Sequence, residues 1–143
     1  MSRKSLTYMI HLLVGTDRGA EFIAECLGIE IKEILIDSEE LIIRFVNGKG
    51  IIFWDDGQCC CESRYMHTDD DLPYYAGSRL MNVELRDGPE EETEWGECTE
   101  SQFLLVTTDK GVITVVNYND HNGWYGGFVL RAREEKKAAN KED

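Results

Sequence analysis

Apolar residues change their spacing along this chain, and the change separates a helical start from a β-rich remainder. The helical spacing appears in a short run whose apolar members are Phe22, Ile23, Cys26 and Leu27. Thr16 or Asp17 is suited to cap this helix, and Gly28 is expected to end it. Residues 6–14 are also apolar and are expected to form a turn or a short helix. Residues 1–27 are therefore predicted to form a helical segment.

From Gly28 onward apolar and polar residues alternate, which is typical of β-strands. One strand is predicted at residues 29–36 and a second at residues 41–46. Asn47-Gly48-Lys49-Gly50 then indicates a hairpin turn, because Asn and Gly tolerate the backbone angles of tight turns. With a returning strand from Gly50 to Trp54, this region is predicted to be a three-stranded meander.

The rest of the chain predicts one more strand and a second meander. Residues 79–86 alternate, with Leu80, Asn82, Glu84 and Arg86 on one face and Met81, Val83 and Leu85 on the other. Residues 88–94 are predicted to be an acidic loop exposed to solvent. Two closing hairpins are predicted from three strands (103–107, 112–118 and 124–131) and the turns between them (108–111 and 119–123).

The predicted fold is α+β, with antiparallel β-meanders forming a mainly β domain after a short N-terminal helical segment. The 143 residues suit a single domain, and a hydrophobic fraction of 42% suffices for a core. This domain is expected to span residues 1–132, with the β-rich body at 28–132. Residues 133–143 are expected to be a charged tail, frayed or disordered.

Charge and cysteine content narrow the classes of partner and compartment. The chain has 28 acidic and 15 basic residues, a formal charge of −13, which repels nucleic acid and anionic membranes. We therefore expect no membrane binding and no direct nucleic-acid binding; the acidity serves either solubility or docking onto a basic partner. Five cysteines, three of them consecutive, suit reduced thiols. With no signal-peptide pattern at the start, a cytoplasmic location is expected.

The cysteine-rich stretch at residues 55–65 is the first candidate for chemistry. Zinc sites usually take paired, spaced ligands from two loops, whereas adjacent cysteines point to opposite sides of a strand. Cys59 and Cys61 with Cys98 and His67 are the zinc alternative; thiols that fill a crowded strand end are the favoured interpretation. A cysteine nucleophile needs a histidine base, and no spacing links the two. We expect no metal, no cofactor and no enzymatic activity.

A second candidate region, residues 117–128, combines aromatic rings, amides and glycines. Rings stack on a planar ligand, amides contact its edge, and glycines allow close approach of the backbone. A plain hairpin with cross-strand aromatic pairs is the alternative. The candidate ligand-binding residues are Trp124 and Tyr125 for stacking, Asn122 for contacts to the ring edge, and Arg64 or Arg131 for phosphate.

Two motifs resemble a small phage-associated family of domains of unknown function. They are Asp56-Gly57-Gln58-Cys59-Cys60-Cys61-Glu62-Ser63 and Asn122-Gly123-Trp124-Tyr125, supported by Gly28, Gly77-Ser78 and residues 110–114. That family carries a Cys-Cys-Glu element after a β-meander and an Asn-Gly-aromatic hairpin near its end. The resemblance covers residues 28–130. This chain differs in its third cysteine, in Trp124, in a longer helical start and in the acidic insertion at 88–94.

The chain is also similar in size and composition to phage counter-defence proteins, in particular the first Thoeris anti-defence family. That resemblance implies a non-enzymatic sponge in the host cytoplasm. Such a protein sequesters a nucleotide-derived immune signal, a cyclic ADP-ribose isomer or a cyclic oligonucleotide, without cleaving it. It further implies a homo-oligomer, a dimer or a multiple of dimers, with pockets between subunits.

An alternative function follows from the acidic charge. It is an acidic protein inhibitor that binds a basic nucleic-acid-handling effector such as a CRISPR nuclease. The residues expected to carry that interaction are Glu90, Glu91, Glu92, Asp69, Asp70 and Asp71.

Overall fold

The computed structural model of the protein describes residues 17–59, 61–123 and 126–135, with side chains from residue 21 onward. These residues form one α-helix, eight β-strands and a 3₁₀ helix at Leu72–Tyr75. The bounds are α1 (Asp17–Cys26), β1 (Ile31–Ile36), β2 (Glu40–Phe45), β3 (Gly50–Asp55), β4 (Glu62–His67), β5 (Leu80–Glu92), β6 (Cys98–Thr108), β7 (Gly111–His121) and β8 (Leu130–Glu134). The apolar segment at residues 6–14 lies outside the described residues.

The strands form two antiparallel sheets of four strands each. The first has the order β1-β2-β3-β8 and the second the order β4-β7-β6-β5. The predicted first meander is confirmed, because β1 pairs with β2 and β2 with β3. At its second turn, the side chain of Asn47 accepts a hydrogen bond from the Lys49 backbone at 3.0 Å, as the turn chemistry predicts. The predicted mainly β, α+β fold class is thus confirmed.

One apolar core joins both sheets and α1. Along β2 every second residue is buried, which is the alternation read from the sequence. The predicted helix is confirmed as well: it packs against β8 and adds three side chains to the core. Burying each large apolar side chain stabilises the fold by about 1.5–3 kcal/mol. The largest fully buried members are Phe45, Phe53, Ile23, Ile31, Leu41, Ile43, Ile51, Leu80, Leu104 and Ile113.

The start of β5 departs from the predicted alternation. The sequence places Leu80 on the face opposite Val83 and Leu85, and this is wrong, because all three are buried while Met81 is exposed. The pairing with β6 shifts register between Leu80 and Asn82. A β-bulge of this kind inserts one residue and turns the side chain before it to the other face.

The predicted acidic loop at residues 88–94 is largely strand. β5 continues to Glu92 and pairs with the first half of β6, with a second register shift between Asp87 and Glu90. The prediction of solvent exposure holds, because the acidic side chains of this stretch are exposed. Polar residues are compatible with a strand here because β5 is the edge strand of its sheet and its last residues are exposed on both faces.

The predicted final hairpin is wrong, although the hairpin of β6 and β7 before it is confirmed. β7 runs through the expected turn to His121, so Asn119 is a buried strand residue. The next strand, β8, crosses to the first sheet and pairs with β3, with Ala132 opposite Phe53. Leu130 and Ala132 bury one face of β8, and this burial selects the sheet edge beside β3. β8 also extends two residues beyond the predicted boundary at residue 132.

Candidate functional site

A buried ion-pair cluster lies at the end of the domain where β3, β4 and β7 meet. Arg64 on β4 contacts Asp55 at 2.9 Å and Glu62 at 3.0 Å. The three side chains are 6%, 10% and 2% exposed, respectively, so the guanidinium is enclosed by two carboxylates. Charges this deeply buried are tolerated only when they are paired and hydrogen-bonded.

The cluster holds its members in their charged forms. Burial alone would raise the pKa of Glu62, but hydrogen bonds from Asn119 and Arg64 outweigh it and leave this pKa below its ordinary value. Burial likewise works against the charge of Arg64, and its contacts with Glu62 and Asp55 raise its pKa above the usual range. Glu62 and Arg64 are therefore both charged at neutral pH.

The same carboxylates anchor the backbone of the segment that follows β7. Glu62 accepts a hydrogen bond from the N–H of Gly126 at 3.1 Å, and Asp55 accepts one from Val129 at 3.1 Å. Glu100 on β6 accepts from Gly127 at 2.6 Å. This arrangement requires glycine at position 126, whose φ is +150° and whose added Cβ would lie 2.8 Å from Glu100.

The loop between β3 and β4 closes around Arg64 from the other side. The Gln58 side chain accepts a hydrogen bond from the Arg64 backbone at 3.0 Å and donates to the carbonyl of Cys59 at 2.7 Å. Cys59 and Cys61 are exposed, so the interpretation of these thiols as filling of a crowded strand end is wrong. Asp55 and Gln58 both hydrogen-bond to the backbone of this loop.

A cleft of about 570 Å³ opens beside the cluster and is lined by residues of both sheets. Its volume lies within the range typical of small-molecule sites, about 300–1,000 Å³. The first sheet contributes Trp54, Asp55 and Arg133, and the second contributes Arg64, Tyr65 and Asn117. The lining therefore combines aromatic, amide and guanidinium groups.

The aromatic and cationic groups of the cleft are already ordered by contacts. The guanidinium of Arg133 lies 5.5 Å from the centre of the Trp54 ring, a cation–π contact. Tyr65 stacks on Tyr118 with ring centres 5.0 Å apart, and its hydroxyl donates to Asp120 at 3.1 Å. Trp54 is thus stacked by an exposed cationic side chain, whereas Tyr65 is stacked by another ring.

Asn117 lines the cleft and is itself almost fully buried. The residue is 2% exposed, its amide nitrogen donates to the carbonyl of Gln102 at 3.3 Å, and its buried amide oxygen has no hydrogen-bond partner among the described residues. A buried acceptor left unpaired costs about 1–3 kcal/mol. A donor group, from a ligand or from water, would recover that free energy.

The candidate ligand-binding residues predicted from the sequence lie in different parts of the structure. Arg64 lines the cleft but is enclosed in the ion-pair cluster, and Arg131 on β8 pairs with Asp56 at 2.8 Å. Asn122 lines a second cavity of about 380 Å³, together with Cys98 and His121. Trp124 and Tyr125 lie outside the described residues, so their stacking role stays a prediction.

Neither cysteines nor histidines assemble a metal centre in the described parts of the chain. No group of three or more His, Cys, Asp or Glu side chains suited to hold an ion occurs in residues 17–59, 61–123 and 126–135. His67 pairs with Asp69 at 2.7 Å, and Nε2 of His121 lies 3.3 Å from Glu100. The zinc alternative built on Cys59, Cys61, Cys98 and His67 therefore has no support in this geometry.

The sequence did not predict that three residues of the cleft, Trp54, Asn117 and Arg133, would lie together. Trp54 reads as the end of an aliphatic strand, and Arg133 reads as part of the tail. Asn117 carried a usable signal, because it follows Ile113 and Val115 at the inward-facing positions of β7, where a polar residue is unusual. The proximity of all three depends on the crossing of β8, which the sequence does not predict.

The fold and cleft define a class: a two-sheet, mainly antiparallel α+β domain with a polar cluster and a cleft at one end. A family described as a domain of unknown function, DUF7448, matches residues 24–130. Because this match covers more than half of the chain, the protein belongs to that family. No curated protein matches the chain. No solved structure matches it either.

The length and polarity of the helices among the described residues are relevant to the expected location. Among the described residues, no helix has both the length and the apolar character needed to cross a bilayer. The expected cytoplasmic compartment stays a prediction.

Proposed function

We propose that this domain binds a nucleotide-type small molecule in the cleft between its sheets and releases it unchanged. The observation that carries the proposal is the juxtaposition in one cleft of the Trp54 ring, the Arg133 guanidinium and the amide residue Asn117. An indole stacks on a nucleobase, an amide oxygen accepts from its exocyclic amine, and a guanidinium pairs with phosphate.

The local charge is consistent with a ligand that is partly anionic. Arg64 is neutralised by two carboxylates, but the guanidinium of Arg133 makes its side-chain contact with the Trp54 ring. Arg133 is therefore the cation of the cleft that is best placed to take a phosphate. The acidic side chains of Glu39 and Glu40 line the same cleft and favour a ligand with few phosphates.

Binding without chemical change fits the protonation of the cluster. General base catalysis needs a carboxylate or imidazole poised near neutral pH, whereas the pKa of Glu62 lies below its ordinary value. Asp55 is held by Arg64 and by two backbone N–H groups. The resemblance to counter-defence sponges adds a role to this proposal: sequestration of a cyclic ADP-ribose isomer or a cyclic oligonucleotide by a phage-type protein.

The proposal is tested by titrating the purified protein with cyclic ADP-ribose isomers and with cyclic di- and trinucleotides in a calorimeter. We expect saturable binding of at least one of them and recovery of that ligand intact after the complex is heated. Absence of binding across the panel, or recovery of a cleaved product, would contradict the proposal.

A further inference from the structure

The second half of β5 and the first half of β6 form a hairpin with a concentrated acidic surface. Residues 87–97 contain six acidic side chains and no Lys, Arg or His. All six are exposed: Asp87, Glu90, Glu91, Glu92, Glu94 and Glu97. We call residues 87–97 the acidic hairpin. None of them lines the cleft assigned to the small ligand.

An indole stands at the tip of the acidic hairpin. Trp95 is 83% exposed, the highest exposure among the large apolar side chains of the described residues. Tryptophan is usually well buried, and apolar surface surrounded by polar residues marks interaction sites. The charged residues of the hairpin are sufficient for solubility. The exposed ring therefore needs another explanation.

The turn that carries Trp95 is closed by hydrogen bonds. The backbone N–H of Thr93 donates to the carbonyl of Glu97 at 2.8 Å, and the Thr93 hydroxyl accepts from the backbone of Trp95 at 3.3 Å and of Glu97 at 3.2 Å. A ring presented on a closed turn loses less conformational entropy on binding than one on an open loop.

We propose that the acidic hairpin docks onto an arginine-rich protein surface, with Trp95 as the anchor and the surrounding glutamates as its charge partners. Tryptophan is enriched among the residues that dominate binding energy, and its ring face attracts guanidinium groups. A second copy of this chain and a nucleic acid are both disfavoured, because each would bring negative charge to a protein of formal charge −13. This inference is independent of the small-ligand cleft and gives the acidic-inhibitor alternative a specific anchor.

The test measures the anisotropy of a fluorescein-labelled nona-arginine peptide titrated with the full-length protein near physiological salt. Trp95→Ala is expected to weaken binding by roughly tenfold or more. Glu90→Gln, Glu91→Gln and Glu92→Gln combined are expected to weaken it by a similar factor. The matched control combines three exposed acidic residues elsewhere, Glu21→Gln, Glu25→Gln and Glu134→Gln, which give the same net charge. It should change affinity by no more than about twofold, because charges distant from the contact are screened.

Two results would overturn the proposal directly. One is wild-type affinity for Trp95→Ala; the other is an equal loss in both triple variants, which would mean that only overall charge matters. Two further arms test other occupants: a labelled DNA duplex, which should not bind, and sedimentation, which should be unchanged by Trp95→Ala. Duplex binding, or a dimer that Trp95→Ala dissolves, would also overturn it. Circular dichroism and thermal melting confirm that each variant is folded.

Discussion

The side chain of Glu62 accepts a hydrogen bond from the backbone of Gly126 at 3.1 Å, although the two residues lie 64 positions apart in the chain. Glu62 belongs to the cysteine-rich motif, and Gly126 follows the Asn-Gly-aromatic motif. Asn119 donates to the same carboxylate at 3.0 Å. Residues on either side of the Asn-Gly-aromatic motif are thus hydrogen-bonded to the cysteine-rich motif, and one function of the cluster is to hold the segment after β7.

Removing the Glu62 carboxylate should destabilise the fold strongly. Glu62→Ala leaves Arg64 buried with one carboxylate, removes the acceptor of the Gly126 N–H, and removes one of the two acceptors of the Asn119 amide. Breaking one partner out of a buried pair costs about 3–5 kcal/mol, and urea unfolding measures it. The control is Glu135→Ala, which breaks the more exposed pair with Arg44 and should cost no more than about 1 kcal/mol. Equal costs for the two variants would contradict the importance of the cluster.

The contribution of Glu62 should also depend on pH. Its pKa is lowered in the folded state from an ordinary value of 4.5. A carboxyl of this kind stabilises the fold above its unfolded pKa, and the stabilisation is lost as the pH falls through the lower folded pKa. The stability difference between wild type and Glu62→Gln should therefore be constant at neutral pH and narrow below pH 4.5. A difference that widens on acidification would show that the carboxylate is not favoured in the folded state.

Gly57 permits the close approach of Arg64 to the loop between β3 and β4. A Cβ at this position would lie 2.6 Å from Nη1 of Arg64 and 2.9 Å from a methyl group of Val129. Gly57→Ala should therefore displace Arg64 from Asp55 and destabilise the domain by about 1–3 kcal/mol. Chemical unfolding compares it with Ser63→Ala, a neighbouring exposed position with no such crowding. Unchanged stability of Gly57→Ala would mean that the ion pair tolerates displacement.

The cysteines should divide into two reactivity classes. Cys59 and Cys61 are exposed, whereas Cys26 and Cys98 are buried. Burial raises the pKa of Cys26 to about 11, and burial together with the negative charge of Glu92 raises that of Cys98. In a Cys60→Ser background, Ellman's reagent at neutral pH should modify two thiols quickly and two only after unfolding. Rapid modification of all four would contradict the burial of Cys26 and Cys98.

Local patterns were sufficient to predict most of the elements. The alternation in β2 and the Asn47–Gly50 turn gave the first meander, because burial of one face and turn chemistry both act over a few residues. The helical period of Phe22, Ile23 and Cys26 gave α1 for the same reason. The bulge beside Met81 was not predictable, since Leu80 and Met81 are both apolar and the sequence does not show which of them shares the face of Val83.

The candidate site was less accessible to prediction because long-range pairing creates it. Asn122-Gly123 has the composition of a hairpin turn, yet the polar cluster binds the following segment and β8 pairs with β3 instead of β7. That crossing brings Arg133 over Trp54, a contact between residues that no sequence spacing relates. Reasoning from residue types identified the chemistry of ring, amide and guanidinium. The cleft takes its amide, Asn117, from the candidate region 117–128 and its ring and cation, Trp54 and Arg133, from elsewhere.

The most direct test of ligand binding in the cleft compares Trp54→Ala with Trp95→Ala. Both variants remove one tryptophan, but Trp54 lines the cleft and Trp95 lies on the acidic hairpin. Calorimetry with the nucleotide that binds the wild-type protein should give affinity reduced roughly tenfold or more for Trp54→Ala. Trp95→Ala should retain wild-type affinity, and the ligand should be recovered intact from both. Wild-type affinity of a folded Trp54→Ala variant would contradict ligand binding in this cleft.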